Sequence, residues 1–250
     1  MTASTTPTTP TAPTARMYQR RHARSPQALA KPYTFLDTGV RVDVEPLLAE
    51  LADVDLPYLE SLWKWHRGTR FTILRAGPQG ALPGDELITG HGVDAPILER
   101  LPRLRALLDG ALGFTAPLAW LGLSPPNSAI RMHVDNTAHW DEHHRLHLPL
   151  ITSPGARLSV MGRFQHFPAG TLFAFNNSRP HGAINEGPAR LHLVFDVPAG
   201  PEIDGLLAAS TPLRGELDAP ALARLSEDPL SDLTPEERAD PVRMIRYLNQ

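Results

Sequence analysis

Between residues 117 and 198 the sequence breaks into short apolar runs, one after another, each closed by Pro, Gly or Asn. Runs this short, with β-branched and aromatic content and turn residues between them, suit strands better than helices. We read strands at 117–123, 129–135, 145–151, 157–161, 163–167, 171–176 and 189–197. Closely spaced strands of this kind close into a sandwich or barrel of the jelly-roll type. The flanks read differently. Apolar positions at helical spacing run from 42 to about 65 and from 95 to 112, with one strand expected at 70–77 (RFTILRAG) and a turn-rich PQGALPGDE behind it. After Pro198 short helical patterns are punctuated by prolines. The expected architecture is therefore mainly β, a core at about 117–198 with helical N- and C-terminal parts, forming a single catalytic domain over 32–250.

Composition narrows the chemistry. The chain has no cysteine among its 250 residues, which excludes disulfides, thiolate nucleophiles and thiolate metal sites, so a transition metal must sit on nitrogen and oxygen. With 24 basic and 27 acidic side chains there is no global attraction to nucleic acid or to an anionic membrane surface. No apolar run approaches the roughly 18 residues that span a bilayer. Residues 1–31, rich in Thr, Pro, Ser and Ala, are expected to be a disordered tail. Their acid-poor, Arg-containing start resembles a transit peptide, but repeated prolines break an amphipathic helix, and no apolar segment of a secretory signal follows. A cytoplasmic protein is the expectation.

The segment RMHVDNTAHWDEHHRLHLPL (131–150) concentrates histidines. In a strand IRMHVDN, successive side chains point to opposite faces. If Ile130, Met132 and Val134 enter the core, then His133 and Asp135 lie together on the other face, as two ligands of one metal would. His181, in NNSRPHGAIN between two predicted strands, is the candidate third ligand. Two histidines and one carboxylate with open positions are the ligand set of non-haem Fe(II) oxygenases. The same alternation in RLHLVFDV puts Arg190 and His192 opposite Leu191, Leu193 and Phe195, and in RLHLPL it puts Arg145 and His147 opposite Leu146, Leu148 and Leu150. Charged and hydrogen-bonding groups on an inward face call for an anion or a metal. Arg190 in particular could clamp a dicarboxylate in a bidentate pair.

The ordered set HVD (133–135), RLHLPL (145–150), PAGTLFAFNNSRPHGAIN (168–185) and RLHLVFDV (190–197) resembles the aspartyl/asparaginyl β-hydroxylase family of Fe(II)/2-oxoglutarate-dependent dioxygenases, which includes bacterial cis-proline hydroxylases. The resemblance covers roughly residues 117–198. It implies a double-stranded β-helix (jelly roll, cupin-like) with His133, Asp135 and His181 as iron ligands and Arg190 on the distal carboxylate of 2-oxoglutarate. Arg145 and His147 would contact the other end of that cosubstrate. Asp135 follows the bacterial members, since the vertebrate ones lack this carboxylate. The hydroxyl residue that some members place beside the distal arginine aligns with Gly122.

Other residues carry weaker signals. Trp140 and Asn176 are candidate substrate contacts, although a loop anchor and a turn residue explain them about as well; Asn177, Arg179 and Asn185 share that ambiguity. His139, His143 and His144 read as exposed loop histidines, His166 and His192 as satisfied strand residues, and His22, His66 and His91 carry no signal. The expected protein is a hydroxylase using Fe(II), 2-oxoglutarate and O2 on an unactivated carbon of an amino acid, free, carrier-bound or within a short peptide. The β-carbon of an Asp/Asn-type residue is the first choice of target and a proline-type ring the second. A non-catalytic cupin-like metal-binding protein would not need Arg190. A zinc hydrolase would want a separate general base.

Overall fold

A computed structural model describes residues 31–61, 63–77, 92–135 and 138–248. The expected tail, apart from Lys31, and the turn-rich PQGALPGDE lie outside the described residues. The chain begins with a strand, β1 (Phe35–Arg41), followed by α1 (Glu45–Ala52), a short β2 (Leu59–Glu60), a 3-10 turn at Lys64–His66, β3 (Arg70–Ala76) and β4 (Val93–Asp94). The helix expected from 42 to about 65 is thus confined to α1. The proline at 57 and the extended segment after it divert the second half into a strand and a turn.

Next come a 3-10 segment at Pro96–Arg100, α2 (Pro102–Ala106) and a kinked turn at Leu107–Ala111. The apolar spacing over 95–112 predicts one continuous helix. Pro102 restarts it, and Gly110, with φ 125°, bends it out of helical geometry. Its apolar stripe is nevertheless used: Leu98, Leu101, Leu104 and Leu108 are fully buried.

The strand-rich core then follows the expected order: β5 (Leu118–Ser124), β6 (Ser128–His133), β7 (His143–Ile151), β8 (Ala156–Val160), β9 (Arg163–Gln165), β10 (Thr171–Phe175), β11 (His181–Asn185) and β12 (Arg190–Pro198). The strand β11 is absent from the sequence-based set, because HGAIN offers little β-branched content; its pairing with two neighbours makes it a strand. After β12 the chain forms α3 (Pro201–Ala209), β13 (Thr211–Leu213), β14 (Glu216–Leu217), α4 (Ala219–Leu225), α5 (Pro235–Ala239) and α6 (Pro241–Leu248). Among the described residues no helix is long and apolar enough to cross a membrane.

Two antiparallel sheets face each other as a double-stranded β-helix. The larger runs β13-β1-β10-β7-β12-β5-β3-β2 with β4 on β3, and the smaller runs β14-β9-β8-β11-β6. The alternation read from the sequence decides what each face does. Leu191, Leu193 and Phe195 of β12, with Leu146 and Leu148 of β7, pack outward against α1, the 96–108 segment and α3 in the main apolar cluster. Burying each such side chain is worth about 1.5–3 kcal/mol, so the register cannot slip without exposing the whole set. Their neighbours Arg145, His147, Arg190 and His192 consequently point into the space between the sheets. Phe35, Phe167, Phe173 and Phe175 fill that space on one side.

Candidate metal centre and cosubstrate pocket

His133 ends β6 and His181 opens β11, and the two residues are directly paired across the sheet. The pairing depends on a bulge, because His181 opposes His133 while Ala183 already opposes Ile130. Gly182 sits at this bulge, where a Cβ would come 2.6 Å from the Ile130 carbonyl oxygen. Asp135 lies two residues beyond the end of β6, and its backbone NH donates to the Asn177 carbonyl.

The potential ligand atoms of His133, Asp135 and His181 all lie within 4.8 Å of one another, close enough for one metal ion. Asp135 Oδ1 is 3.8 Å from His133 Nε2 and 3.9 Å from His181 Nε2. His133 Nδ1 donates to the Arg131 carbonyl at 2.8 Å, and His181 Nδ1 donates to the Arg179 carbonyl at 2.9 Å. A carbonyl only accepts, so each imidazole is fixed with its proton on Nδ1 and the Nε2 lone pair aimed inward. Burial keeps both rings neutral, pushing His181 down to about 3. Burial raises the Asp135 carboxyl, but the neighbouring imidazoles, Arg145 and Asn177 outweigh it and hold the acid below the usual carboxylate range. The donor set is already deprotonated at neutral pH, as a divalent cation requires.

A second feature adjoins it. Arg190 is buried, its Nε has no partner, and no carboxylate pairs with it among the described residues. Burial alone lowers its pKa to about 10. It lines a small cavity with His147, His192, Gln165, Phe167 and Phe173. The buried Nε2 atoms of His147 and His192 are also without partners, although their Nδ1 atoms are 3.4 Å apart. Phe175 links the two features, with its ring centroid 5.3 Å from that of His147 and 5.1 Å from that of His181. Ser124, not Gly122, is paired with Arg190 across β5 and β12, so the hydroxyl nearest in register is Ser124.

Arg145 is differently placed. Its Nε and Nη2 bind both oxygens of Asp196 at 2.8 and 3.0 Å, and Nη1 reaches Asp135 Oδ2 at 3.3 Å. Trp140, the candidate substrate contact or loop anchor, is buried with its ring centroid 4.3 Å from the guanidinium carbon of Arg145. Asn176 builds the turn, donating from Nδ2 to the Lys31 carbonyl at 2.6 Å and accepting from Ser178 NH at 3.1 Å. Its neighbour Asn177 holds Asp135 Oδ2 at 2.9 Å and accepts from Lys31 Nζ at 2.6 Å. Lys31 therefore belongs to the folded domain and not to the tail, because its ammonium is buried against this site. Asn185 is structural, donating to the carbonyls of Ser124, Pro125 and Pro188.

The three histidines read as loop decoration are all buried. His139 bonds Asp196 at 3.0 Å, His143 donates to the His139 carbonyl, and His144 bonds Asp204 at 3.3 Å. The polar run NTAHWDEHH misleads because His139 and His144 face acids that arrive from β12 and α3. Two positions beside the candidate ligands carry no sequence signal. Trp65 stacks on His133 with centroids 5.8 Å apart, and His66 Nε2 lies 3.2 Å from His133 Nε2. The His133 nitrogen accepts with its one lone pair, so the hydrogen bond that His66 donates there gives way when a metal takes that lone pair. Asp196 was within reach, because extending the Arg190/His192 alternation along β12 places an acid on the same inward face.

Residues 87–199 match the family model of aspartyl/asparaginyl beta-hydroxylase. This segment is therefore similar to aspartyl/asparaginyl β-hydroxylases. The match indicates an enzyme of the 2-oxoglutarate-dependent oxygenase kind. The matched segment contains all three candidate metal ligands, Arg145, His147 and Arg190, whereas Trp65 and His66 lie outside it. Solved structures similar to the chain include an oxidoreductase of the 2OG-Fe(II) oxygenase family from Burkholderia pseudomallei, at 15% identity, TM-score 0.46, covering 62% of this chain and 77% of that one. A prolyl-4-hydroxylase from Pseudomonas putida is similar at 18% identity and TM-score 0.38, covering 67% of this chain and 94% of that one. No curated protein sequence matches the chain.

Proposed function

We propose that the protein is an Fe(II)/2-oxoglutarate-dependent hydroxylase in which His133, Asp135 and His181 hold the metal, and that its substrate is an amino acid, free, carrier-bound or within a short peptide. The observation that carries this reading is the unpaired buried Arg190 in a cavity adjoining a deprotonated set of two histidines and one carboxylate. A lone buried cation is strongly unfavourable unless an anion arrives to pair with it. Asp135 and Asp196 balance Arg145 and the buried Lys31, so a divalent metal and Arg190 would add three positive charges, of which a dicarboxylate offsets two.

When bound, Fe(II) supplies the redox chemistry by which one oxygen atom of O2 enters the substrate C–H bond while 2-oxoglutarate becomes succinate and CO2. The chain's own residues position and enclose. Arg190 pairs with the distal carboxylate of the cosubstrate, with His147 and His192 offering their unpartnered nitrogens along the cavity. Phe167, Phe173 and Phe175 keep water from it. Trp65 and His66 cover the exposed side of His133 and are placed to meet the substrate. The β-carbon of an Asp/Asn-type residue is the first candidate target, as the name of the family model that residues 87–199 match suggests; a proline-type ring is the second.

Incubation with Fe(II), ascorbate and 2-oxoglutarate under air is expected to release succinate, faster when the right substrate is present. Mass spectrometry of amino acids, carrier-bound aminoacyl groups and short peptides would then find a gain of one oxygen. Tightly held zinc with no succinate under any condition would overturn the reading in favour of a hydrolase.

A further inference from the structure

We propose that Arg145 is a positioning residue for the carboxylate ligand Asp135, held in that role by the buried counter-ion Asp196, and that it is not a contact for the cosubstrate. The inference rests on the metal-centre reading above.

Asp135 needs such a brace. It lies past His133, the last residue of β6, and the exposed Val134 between them belongs to no apolar cluster among the described residues. The strand pleat that orients His133 therefore stops short of Asp135. Its carboxylate is oriented instead by two donors on one oxygen, Arg145 Nη1 and Asn177 Nδ2, which leave Oδ1 facing the two imidazole nitrogens. Each donor is itself anchored, Asn177 by Lys31 and Arg145 by Asp196. A carboxylate held in this way offers a metal one oxygen in a set direction.

Arg145 has little freedom to do anything else. Two edges of its guanidinium are committed to Asp196 and Asp135, and its faces lie against Trp120 and Trp140, with centroids 4.6 and 4.3 Å from the guanidinium carbon. Asp196 is fully buried, and its other contacts include His139. The attraction of Arg145, with the hydrogen bond from His139, outweighs burial and holds its carboxyl at about 2. A cosubstrate carboxylate taking Arg145 would leave Asp196 charged and without its cation in the interior, which is strongly unfavourable. Asp196 also cancels the positive charge that Arg145 would otherwise present to an incoming divalent cation. Arg190, which has no such partner among the described residues, remains the cation for the cosubstrate.

The test uses Co(II) as a visible probe, titrated into the metal-free protein without cosubstrate, alongside anaerobic titration of the Fe(II) protein with 2-oxoglutarate followed by its charge-transfer band. Two variants are compared with the wild type: Asp196→Asn, and the double variant Arg145→Leu/Asp196→Leu, which replaces the buried pair by apolar side chains and so guards against simple misfolding. Each is expected to bind Co(II) about 10- to 100-fold more weakly, the range found when an outer partner of a metal ligand is lost. The Co(II) ligand-field spectrum should change, and 2-oxoglutarate affinity at saturating metal should change less than the metal affinity does. A folded variant that loses less than about tenfold in Co(II) affinity, or that loses more affinity for 2-oxoglutarate than for metal, overturns the brace. A wild-type protein that takes up no Co(II) sinks the metal centre itself, a result distinct from equal uptake by wild type and variants.

Discussion

Arg145 and Arg190 stand on neighbouring strands with the same inward orientation, yet what faces them differs. Arg145 meets Asp196 across β7 and β12, whereas Arg190 meets Ser124 across β5 and β12. A cation with a buried acid beside it is already neutralised; one opposite a hydroxyl is left for a ligand. We expect Arg190→Ala to weaken 2-oxoglutarate by well over tenfold, since removing one partner of a buried charge pair costs roughly 3–5 kcal/mol. Metal affinity should barely change. The concentration of 2-oxoglutarate giving half-maximal succinate release measures this, and an unaltered value would make the Arg190 cavity merely structural.

The approach of β11 to β6 is what brings the two imidazoles together, and it rests on the bulge at Gly182. Any side chain there meets the Ile130 carbonyl oxygen and comes within 3.3 Å of Met132 Sδ, so the strands must part. Gly182→Ala is expected to lower the thermal midpoint and to weaken metal binding together, because the same displacement separates His181 from His133. Weaker metal binding with an unchanged midpoint would argue against this account. The start of β7 makes a second prediction. Burial pushes His143 and His144 down to about 4 each, so both are neutral when folded and charged when unfolded below about 6.5. The unfolded chain then binds more protons, and stability is fully present above pH 6.5 and lost as pH falls towards 4. The midpoint of the metal-free protein should drop across that window, and His143→Gln combined with His144→Gln should flatten the slope. A slope unchanged by the double substitution would place the titrating groups elsewhere.

Taken as a single body, the domain recruits its site from distant parts of the chain: Trp65 and His66 from before the matched segment, the ligands from β6 and β11, Asp196 from β12 and Lys31 from the first described residue. Removing residues 2–30 is expected to leave turnover and thermal midpoint nearly unchanged, as a Thr/Pro-rich stretch has little apolar surface to bury. Lys31→Ala in the same background should weaken metal binding, since Asn177 then loses a donor that fixes it against Asp135. If truncation to residue 31 alone already costs most of the turnover, the preceding residues take part in the fold.

The sequence by itself determined the strand order from β5 to β12 apart from β11, the apolar outward face of β7 and β12, and the inward direction of Arg145, His147, Arg190 and His192. All of these follow from alternation along one strand, a local property that survives any packing in which the apolar face is buried. It also determined that His133, Asp135 and His181 are the donor set to examine, through residue types that bind a metal in an order that strands can bring together. Only the tertiary structure decided which charges meet. That Asp196 takes Arg145, that Trp140 covers its guanidinium, that Asn177 reaches Asp135, and that His66 reaches His133 all depend on contacts between residues from different elements. So does the burial of His139, His143 and His144, whose polar surroundings in the sequence look like solvent until the acids of β12 and α3 fold over them. Burial, pairing and pKa are properties of neighbours in space, and a polar run carries no record of which neighbours those will be.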